Sequence, residues 1–290
     1  MIARKPKLVA EIGCNHKGSV SVAKDMIKVA MDFANVDYVK FQKRTNRELL
    51  TPEEYDSPHP NEMNSYGATY GEHREFLEFS LDEHIDLLEF CESLGVGYAT
   101  SVWDLTAAKD IIQLRPDYIK VPSASNLDND LIDCLISDYG GDVHVSLGMT
   151  TLSEENALIE KFRAKGEMKR LVIYACTSGY PVPHEDTCLY EIKRLIKKYG
   201  KEVKAIGFSG HHLGIAIDIA AQVLGASWIE RHFTLDRTWK GTDHAASLEP
   251  DGLRRLSRDS LAVSKSLKFK HAEVLEIEVP QREKLKRYVN

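Results

Sequence analysis

Long apolar runs are missing from this sequence. No stretch approaches the roughly 18 consecutive apolar residues that cross a bilayer as a helix, and the first residues, MIARKPKLVAEIG, hold no signal-peptide core. These two absences argue against a membrane protein and against a secreted one. We therefore expect a protein with no membrane partner.

Cysteine is scarce, and its positions are scattered. The five cysteines are Cys14, Cys91, Cys134, Cys176 and Cys188, and no two of them form a CxxC pair. An odd number of well-separated cysteines in a long chain is typical of a reduced protein rather than of a disulfide scaffold. The sequence thus favours a cytoplasmic location.

An excess of basic charge is missing as well. The 290 residues carry a formal net charge of −6 at pH 7 with both signs spread along the chain, so no basic stripe indicates a nucleic-acid partner. No G-x-G-x-x-G loop follows the first predicted strand, and we expect no organic cofactor. What the sequence does contain is a hydrophobic fraction of 43%, enough for a sizeable core.

Short apolar segments rich in Val, Ile and Tyr recur along the chain, and amphipathic segments lie between them. The predicted strands cover residues 7–14, 36–42, 97–103, 118–124, 142–148, 170–176, 204–210 and 227–233. The predicted helices cover residues 20–33, 81–95, 127–140, 152–166, 186–200, 215–226 and 251–267. Eight strand–helix units in a chain of this length are typical of an α/β protein with the (β/α)8 fold, the TIM barrel.

Two segments fall outside the barrel pattern. Residues 43–80, after the second predicted strand, form a connection far longer than an ordinary βα loop. At the active face of a barrel such a long loop is usually a lid or a substrate loop, and an unstructured insertion is the alternative. Residues 268–290 are charged and lack a core pattern. We therefore predict a barrel domain over residues 1–267 and a linker or docking tail over residues 268–290.

The ends of the predicted strands carry polar residues, and these ends are where a barrel places its chemistry. Lys40 and Lys120 lie on otherwise apolar strands, and a buried lysine needs a carboxylate or a bound anion. Hydroxyl groups end other strands, at Ser101, Ser123, Ser146 and Ser209. Two lysines within a ring of serines suit a ligand that carries both a phosphate and a carboxylate. A lysine–glutamate pair inside the barrel is the alternative.

Two histidines lie at the ends of neighbouring predicted strands. His211 follows the seventh strand, and His232 lies near the end of the eighth, where Glu230 shares its face. Imidazoles in this arrangement indicate a site for one divalent metal, with Glu230 as a ligand or as a partner of a ligand. Mn, Fe, Co and Zn all stay open. Cys14 could join the histidines, but it is more typical of a small core cysteine.

A series of motifs resembles those of the sialic acid (N-acylneuraminate) synthase family. They occur in the order AEIGCNHKGS, VKFQK, TYGEHREFLEFS, YIKVPSAS, SLGM, CTSGYP, GFSGHHLGIA and IERHFTLDRTWKGTDHAASLEP. The resemblance covers about residues 7–255, nearly the whole predicted barrel. Several of the motifs look most like the members of the family that make a 9-phosphorylated product.

The resemblance implies a transferase that forms a carbon–carbon bond. Carbon 3 of phosphoenolpyruvate (PEP) attacks the aldehyde of an open-chain sugar, either N-acetylmannosamine 6-phosphate or mannose 6-phosphate. A divalent metal, with Mn, Mg or Co expected, polarises the aldehyde. Water then adds at carbon 2, and phosphate is expelled. The expected products are N-acetylneuraminic acid 9-phosphate or KDN 9-phosphate, and the resemblance implies a homodimer.

The resemblance also implies roles for individual residues. His211 and His232 match the metal ligands of the family. The positions that hold PEP are Lys40, Ser101, Lys120, Ser123, Ser146, Ser178 and Ser209. The positions that contact the sugar are Gln42, Ser125, Tyr180 and Asp243. The expected catalytic set is Glu11, Lys40, Gln42, Lys120, Tyr180 and Asp243.

Two departures from the family pattern bear on the sugar. Ser125 stands where the family usually has an acidic residue that meets the sugar, and this opens mannose 6-phosphate as a substrate. A C-terminal antifreeze-like domain, which supplies an arginine to a neighbouring active site in the family, is expected to be missing. Candidates for holding the sugar phosphate are Lys43, Arg44, Arg74 and Lys240, although surface salt bridges are the commoner use of such residues.

Three other functions stay open at this point. One is a synthase that uses the free sugar. Another is a different metal-dependent barrel enzyme, such as a sugar isomerase or deacetylase, although such an enzyme has no need for two lysines and a serine ring. The third is an inactive relative that only binds sugar, and the presence of Lys40, Lys120, His211 and His232 argues against it.

Overall fold

Eight parallel strands close into a barrel at the centre of the computed structural model, which describes residues 5–287. Each strand pairs with the next, and the last pairs with the first. The strands are β1 (Lys7–Gly13), β2 (Tyr38–Lys43), β3 (Gly97–Val102), β4 (Tyr118–Val121), β5 (Asp142–Ser146), β6 (Leu171–Cys176), β7 (Ala205–Gly210) and β8 (Trp228–His232). All eight predicted strands are confirmed, and with them the TIM-barrel fold.

Helices alternate with the strands and form the outer layer. They are α1 (Val20–Ala34), α2 (Asn46–Leu49), α3 (Pro52–Asp56), α4 (Tyr70–Phe76), α5 (Leu81–Leu94), α6 (Leu105–Leu114), α7 (Asn129–Asp138), α8 (Leu152–Ala164), α9 (Tyr190–Tyr199), α10 (Ala216–Leu224), α11 (Pro250–Ser266) and α12 (Val279–Leu285). Apolar side chains from the strands and from the inner faces of the helices fill the space between the two layers. Among residues 5–287, no helix has the length and apolar character needed to cross a bilayer.

The strand boundaries differ from the predicted ones by a few residues. Strand β4, for example, ends at Val121 instead of continuing to position 124. Pro122 follows it, and a proline has no amide N–H to donate to the ladder of a parallel sheet. The chain turns there into a short 3₁₀ helix, Ser123–Ser125. This turn decides where the serines after β4 point.

The register of the strands brings predicted polar residues to one level inside the barrel. Glu11 on β1 is the register partner of both Lys40 on β2 and His232 on β8. Ser101 on β3 is the partner of Lys120 on β4. Because side chains alternate along a strand, these polar groups face the interior while their apolar neighbours pack beneath the helices.

A layer of aromatic side chains fills the barrel one step closer to the start of the strands. The ring of His144 stacks on that of Tyr118, with centroids 3.8 Å apart, and meets the edge of Trp228 at 4.6 Å. Its Nδ1 lies 2.9 Å from the hydroxyl of Tyr174. The Lys120 ammonium lies 4.5 Å from the centre of the Tyr174 ring, so this aromatic layer is the floor on which the polar level rests.

The segment after β2, residues 43–80, is longer than an ordinary loop but not unstructured. It contains α2, α3 and α4, three short helices that the sequence analysis did not identify. Thr51 and Thr69 each begin a helix with a capping box. The hydroxyl of Tyr66 donates to the carbonyl of Lys240 in the loop after β8. This segment, which we name the β2 insertion, therefore forms a wall beside the carboxyl ends of the strands.

The residues after α11 are little buried. Phe269 is 97% exposed and Ile277 is 83% exposed, although α12 forms near the end of the described chain. The division into a barrel domain over 1–267 and a linker or docking tail over 268–290 stays a prediction. Positions 1–4 and 288–290 of those two ranges lie outside the described residues.

Candidate active site

A cavity of about 420 Å³ opens at the carboxyl ends of the strands. Almost all residues that the sequence analysis selected for the site line it, although they are spread over more than 200 positions of the chain. They are Glu11, Lys40, Gln42, Ser101, Lys120, Ser123, Ser146, Ser178, Tyr180, Ser209, His211, His232 and Asp243. The structure thus brings the predicted site residues together, while their individual roles stay predictions.

Two lysines and two glutamates meet at the bottom of this cavity. Lys40 forms an ion pair with Glu11, and Lys120 forms one with Glu230. Lys40 Nζ is also 2.6 Å from Ser101 Oγ and 3.9 Å from the second oxygen of Glu230. All four charged side chains are buried. We name this cluster the Lys–Glu tetrad, and it shows that the lysine–glutamate pairing left open by the sequence is present.

Pairing does not use up the hydrogen-bonding capacity of the lysines. An ammonium group has three N–H donors, and Lys120 spends one of them, on Glu230. The remaining donors have no acceptor among residues 5–287. Buried ion pairs also contribute little net stability, because desolvating the charges costs as much as their attraction returns. The tetrad is therefore better explained by the binding of a ligand than by stabilisation of the barrel.

Glu230 of the tetrad is ionised at neutral pH. Burial alone would raise the pKa of Glu230, but the nearby ammonium groups of Lys120 and Lys40 lower it to about 2. Burial lowers the pKa of Lys120, an effect that Glu230 opposes and Lys40 reinforces. An anion that enters the cavity would stabilise the charged ammonium form of Lys120. The electrostatics of the tetrad thus favour an anionic ligand.

Hydroxyl groups lie close together above the tetrad at the ends of β4, β5 and β6. The amide of Gly148 donates to Ser123 Oγ at 3.0 Å. A methyl group placed on Gly148 would lie 2.5 Å from Ser178 Oγ and 2.7 Å from Ser123 Oγ, so only glycine fits between them. Ser146 Oγ is buried and has no hydrogen-bond partner within the described part of the chain. Such an unsatisfied group favours a polar ligand beside it.

His211 and His232 lie side by side on the opposite wall, with ring centroids 5.4 Å apart. Burial, and next the charge that His232 would carry, lower the pKa of His211 to about 3, so its imidazole is neutral. Its Nδ1 lies 3.0 Å from the carbonyl of Thr177, and a proton donated there leaves Nε2 as a free lone pair. This is how metal-binding histidines are commonly oriented.

The histidine pair therefore fits one divalent metal. Nδ1 of His232 is buried and has no hydrogen-bond partner among the residues that the structure describes. No group of three or more His, Cys, Asp and Glu side chains converges in the described range, so water or substrate would complete the coordination. Glu230 does not join the two histidines in such a group; its Oε1 accepts from Lys120 and from Ser209 at 3.1 Å, while its Oε2 has no hydrogen-bond partner among residues 5–287.

Three further predicted residues surround the cavity mouth. The ring of Tyr180 covers His211 with centroids 4.4 Å apart. Gln42 donates to Glu11 at 3.1 Å, which links a predicted sugar contact to the tetrad. Asp243 lies in the loop after β8 and accepts from Thr242 at 3.2 Å. All three line the same cavity as the tetrad.

Ser125 is the exception among the predicted site residues, because it does not line the cavity. It is the last residue of the 3₁₀ turn after β4, and its hydroxyl donates to the carbonyl of Trp103 at 2.7 Å. The direction of that turn cannot be read from strand alternation. Its contact with the sugar stays a prediction that the geometry does not support.

The β2 insertion adds residues to the cavity that sequence reasoning missed. They include His59, Tyr70 and His73, together with Arg74, which was one of the phosphate candidates. Cys14, expected in the core, lines the cavity too, with its sulfur 2.9 Å from Nη2 of Arg44. The one available signal was the TYGEHREFLEFS motif, which contains Tyr70, His73 and Arg74, but these residues could not be placed in the cavity without knowing the helix.

Known proteins are similar to this chain in sequence and in fold. The model of the NeuB family matches residues 26–272. N-acetylneuraminate-9-phosphate synthase of Homo sapiens is 36% identical over 285 residues, covering 96% of this chain and 76% of that protein. N,N'-diacetyllegionaminic acid synthase of Campylobacter jejuni subsp. jejuni is 28% identical over 265 residues, covering 91% of this chain and 78% of that protein.

A solved structure agrees with the sequence matches. It is the crystal structure of N-acetylneuraminic acid (sialic acid) synthetase from Leptospira borgpetersenii serovar Hardjo-bovis in complex with citrate. Its TM-score is 0.80 at 26% sequence identity, and the match covers 98% of this chain and 93% of that one. The similarity therefore extends through the whole barrel rather than through a few motifs.

Proposed function

The chain belongs to the NeuB family, and from that premise we propose that it condenses PEP with the open-chain form of a mannose-type 6-phosphate sugar. The activity is that of a transferase that forms a carbon–carbon bond. The sugar is N-acetylmannosamine 6-phosphate or mannose 6-phosphate. The products are the corresponding nonulosonic acid 9-phosphate, Neu5Ac 9-phosphate or KDN 9-phosphate, and inorganic phosphate.

The Lys–Glu tetrad is the observation that carries this proposal. PEP bears a phosphate and a carboxylate, and the tetrad offers two ammonium groups with spare donors at the bottom of one cavity. The hydroxyls of Ser123, Ser146 and Ser178 add neutral donors beside them. A ligand with two anionic groups matches this set, since each group can receive charge-assisted hydrogen bonds.

The first chemical step joins the two substrates. The π electrons of PEP form the bond from its carbon 3 to the aldehyde carbon, and the aldehyde oxygen takes up a proton. Positive charge appears at carbon 2 of the former PEP. Lys40 and Lys120 hold the phosphate and carboxylate that flank this carbon, which fixes its distance from the aldehyde. Such positioning can lower the barrier by several kcal/mol.

The second step consumes one water molecule and releases phosphate. Water adds to carbon 2 and loses a proton, which balances the proton gained by the aldehyde oxygen. Glu11 is suited to receive it, since Lys40 and Gln42 hold its carboxylate at the edge of the tetrad. The tetrahedral intermediate then expels phosphate with its bridging oxygen. The hydroxyl that remains on carbon 2 gives its proton to the leaving phosphate and becomes the ketone of the product.

A metal site at the histidine pair would complete the cavity. His211 and His232 would hold a divalent ion, with Mn, Mg and Co as the expected choices. When bound, that ion supplies Lewis-acid polarisation of the aldehyde oxygen. Tyr180, whose ring packs on His211, shields this wall of the cavity from bulk solvent.

A cytoplasmic homodimer is part of the same proposal. All five cysteines are free thiols in the structure, as expected for a reducing compartment. The net charge of −6 continues to disfavour nucleic acid as a partner. The expected partners are therefore the two small substrates and a second copy of the chain.

A panel of four sugars tests the choice of substrate. Phosphate release from PEP would be measured with mannose 6-phosphate, N-acetylmannosamine 6-phosphate, mannose and N-acetylmannosamine. We expect turnover with a 6-phosphate sugar, at a kcat/KM at least tenfold above that of its free counterpart. Preference for a free sugar would reassign the chain to the free-sugar type. No phosphate release with any sugar would favour a different metal-dependent enzyme instead.

A further inference from the structure

One cation that lines the cavity has neither a role in the chemistry described so far nor a carboxylate partner among residues 5–287. Arg74 lies on α4 of the β2 insertion, lines the cavity and is only 8% exposed. Its guanidinium forms no hydrogen bond or ion pair with residues 5–287, and Nε is fully buried. A buried guanidinium without a partner is costly. Its presence calls for an anion that the protein itself does not provide.

The other cations that line the cavity differ from Arg74 in this respect. Lys40 and Lys120 are paired with glutamates of the tetrad. Arg44 is paired with Glu78, because its Nε–H and its backbone N–H both donate to the Glu78 carboxylate. Within the described residues, Arg74 is thus the cation of this cavity that lacks a carboxylate.

The surroundings of Arg74 orient it without neutralising it. The guanidinium carbon lies 5.6 Å from the centre of the Tyr70 ring and 5.8 Å from that of Trp103. Aromatic rings at these distances favour a guanidinium but leave its N–H groups free. Burial, and next the charge of Arg44, lower the pKa of Arg74, so an incoming anion would relieve an unfavourable state.

His73 adds a neutral donor on the same helix. Its Nδ1 accepts the amide of Tyr66 at 3.1 Å, so the neutral ring carries its proton on Nε2. Burial, and next the charge that His59 would carry, lower the pKa of His73 to about 4, which keeps the ring neutral at pH 7. A guanidinium fork beside an imidazole donor is a set suited to phosphate.

We propose that Arg74 is the specificity-determining residue that binds the terminal phosphate of the sugar. The identity of that ligand rests on the proposed function. If PEP occupies Lys40 and Lys120, the phosphate of the sugar needs another cation, and the β2 insertion provides Arg74. Arg44 stays with Glu78 and supports the wall of this subsite. Helix α4 thus adds a cation to the cavity from outside the barrel strands.

Steady-state kinetics of four proteins test the proposal: the wild type, Arg74→Met, Arg74→Lys and Arg47→Met. Arg47 is the matched control, because it belongs to the same insertion, is exposed, and stacks on Tyr55 at 3.4 Å outside the cavity. Each would be assayed with PEP and either a 6-phosphate sugar or the free sugar. Circular dichroism and urea midpoints would confirm that each variant folds.

We expect Arg74→Met to raise KM for the 6-phosphate sugar about 30- to 100-fold, as for the loss of a charged hydrogen-bonding partner. KM for PEP should change less than twofold. The loss of kcat/KM should be at least tenfold smaller with the free sugar. Arg74→Lys should be intermediate, since it keeps the charge without the fork, and Arg47→Met should match the wild type. Equal losses for both sugars, or a loss confined to PEP, would overturn the assignment.

A binding measurement separates this proposal from the proposed function. Titration calorimetry would follow mannose 6-phosphate and mannose binding to the wild type and to Arg74→Met, without PEP. If the wild type binds mannose 6-phosphate more tightly than mannose and Arg74→Met does not, the subsite is supported even if no PEP is consumed. If PEP is consumed and Arg74→Met binds the ester as the wild type does, the synthase activity stands and the subsite is refuted.

Discussion

At the scale of single residues, the buried cations of this site differ in whether a carboxylate pairs with them. Lys40 and Lys120 are held by glutamates and still have donors to spare, so they can bind an anion and release it again. Arg74 has no such partner in the described part of the chain, so its guanidinium is open to a ligand. Under the two proposals, basic side chains would thus bind two different anions, one at a paired lysine set and one at an unpaired arginine.

Some of these residues could be selected from the sequence, and others could not. Lys40, Lys120 and His232 lie on strands with a clear alternation, so their direction followed from a period of two. Ser125 lies in a turn after Pro122, where alternation no longer applies, and its hydroxyl points to Trp103. The pairings between distant strands, which decide whether a charge is free, depend on register and had to come from the structure.

The histidine pair leads to a prediction about metal affinity. Replacing His211 or His232 with Ala removes one of two neighbouring imidazoles, so Mn²⁺ affinity of the chelator-treated protein should fall at least about 100-fold. Equilibrium dialysis measures it without any turnover. His184→Ala, an exposed histidine outside the cavity, should bind as the wild type does. Unchanged Mn²⁺ affinity in both His211→Ala and His232→Ala would show that the pair is not the metal site.

At the scale of secondary-structure elements, long periodic segments were predictable and short ones were not. Helices α1, α5 and α7 to α11 have nine or more residues, so apolar residues recur on one face and can be recognised. Helix α6, with ten residues, is the exception, because it was not among the predicted helices. Helices α2, α3 and α4 have four, five and seven residues, too few to show a period. The capping boxes of α3 and α4 begin at Thr51 and Thr69, but a capping box without a following period does not establish a helix.

Two neighbouring helices of the outer layer are tied by a buried carboxylate. Glu155 on α8 accepts two hydrogen bonds from Arg194 of α9, at 3.0 and 2.6 Å. Lys198 and the hydroxyl of Tyr199, both on α9, donate to it at 2.9 Å. Burial alone would raise the pKa of Glu155, but these donors together lower it to about 2.

This tie predicts how stability depends on pH. Glu155→Gln should lower the free energy of unfolding at pH 7 by about 2 kcal/mol, as for the loss of charged hydrogen bonds. Because the folded-state pKa is depressed, the carboxylate stabilises the fold above pH 4.5 and ceases to do so as the pH falls towards 2. Urea unfolding at pH 7 and at pH 3 should show that the gap in the free energy of unfolding between the wild type and Glu155→Gln is smaller at pH 3. A gap of constant size would contradict the assignment.

The same experiment has a matched control. Glu160 lies on the same helix, and its exposed carboxylate pairs with Arg163. An exposed pair contributes little to stability, so Glu160→Gln should change the free energy of unfolding by no more than about 0.5 kcal/mol at either pH. An equally large effect in both variants would indicate a general charge effect rather than the buried tie.

At the scale of the whole molecule, barrel closure assembles the site. The tetrad joins β1, β2, β4 and β8, the hydroxyls come from β4 to β6, and the histidines come from the ends of β7 and β8. The count of strand–helix units predicted this architecture, since few folds contain eight of them. The sequence could not reveal how the β2 insertion folds back to supply the last wall.

The central claim of the proposed chemistry is that water attacks carbon 2 of PEP and that phosphate leaves with the bridging oxygen, and an isotope measurement tests it most directly. PEP labelled with ¹⁸O in its bridging C–O–P oxygen would be turned over with the preferred 6-phosphate sugar, and both products would be weighed by mass spectrometry. We predict one nonulosonic acid 9-phosphate per phosphate, with the label entirely in the phosphate. Label retained in the sugar acid, or phosphate released without a new carbon–carbon bond, would contradict the account.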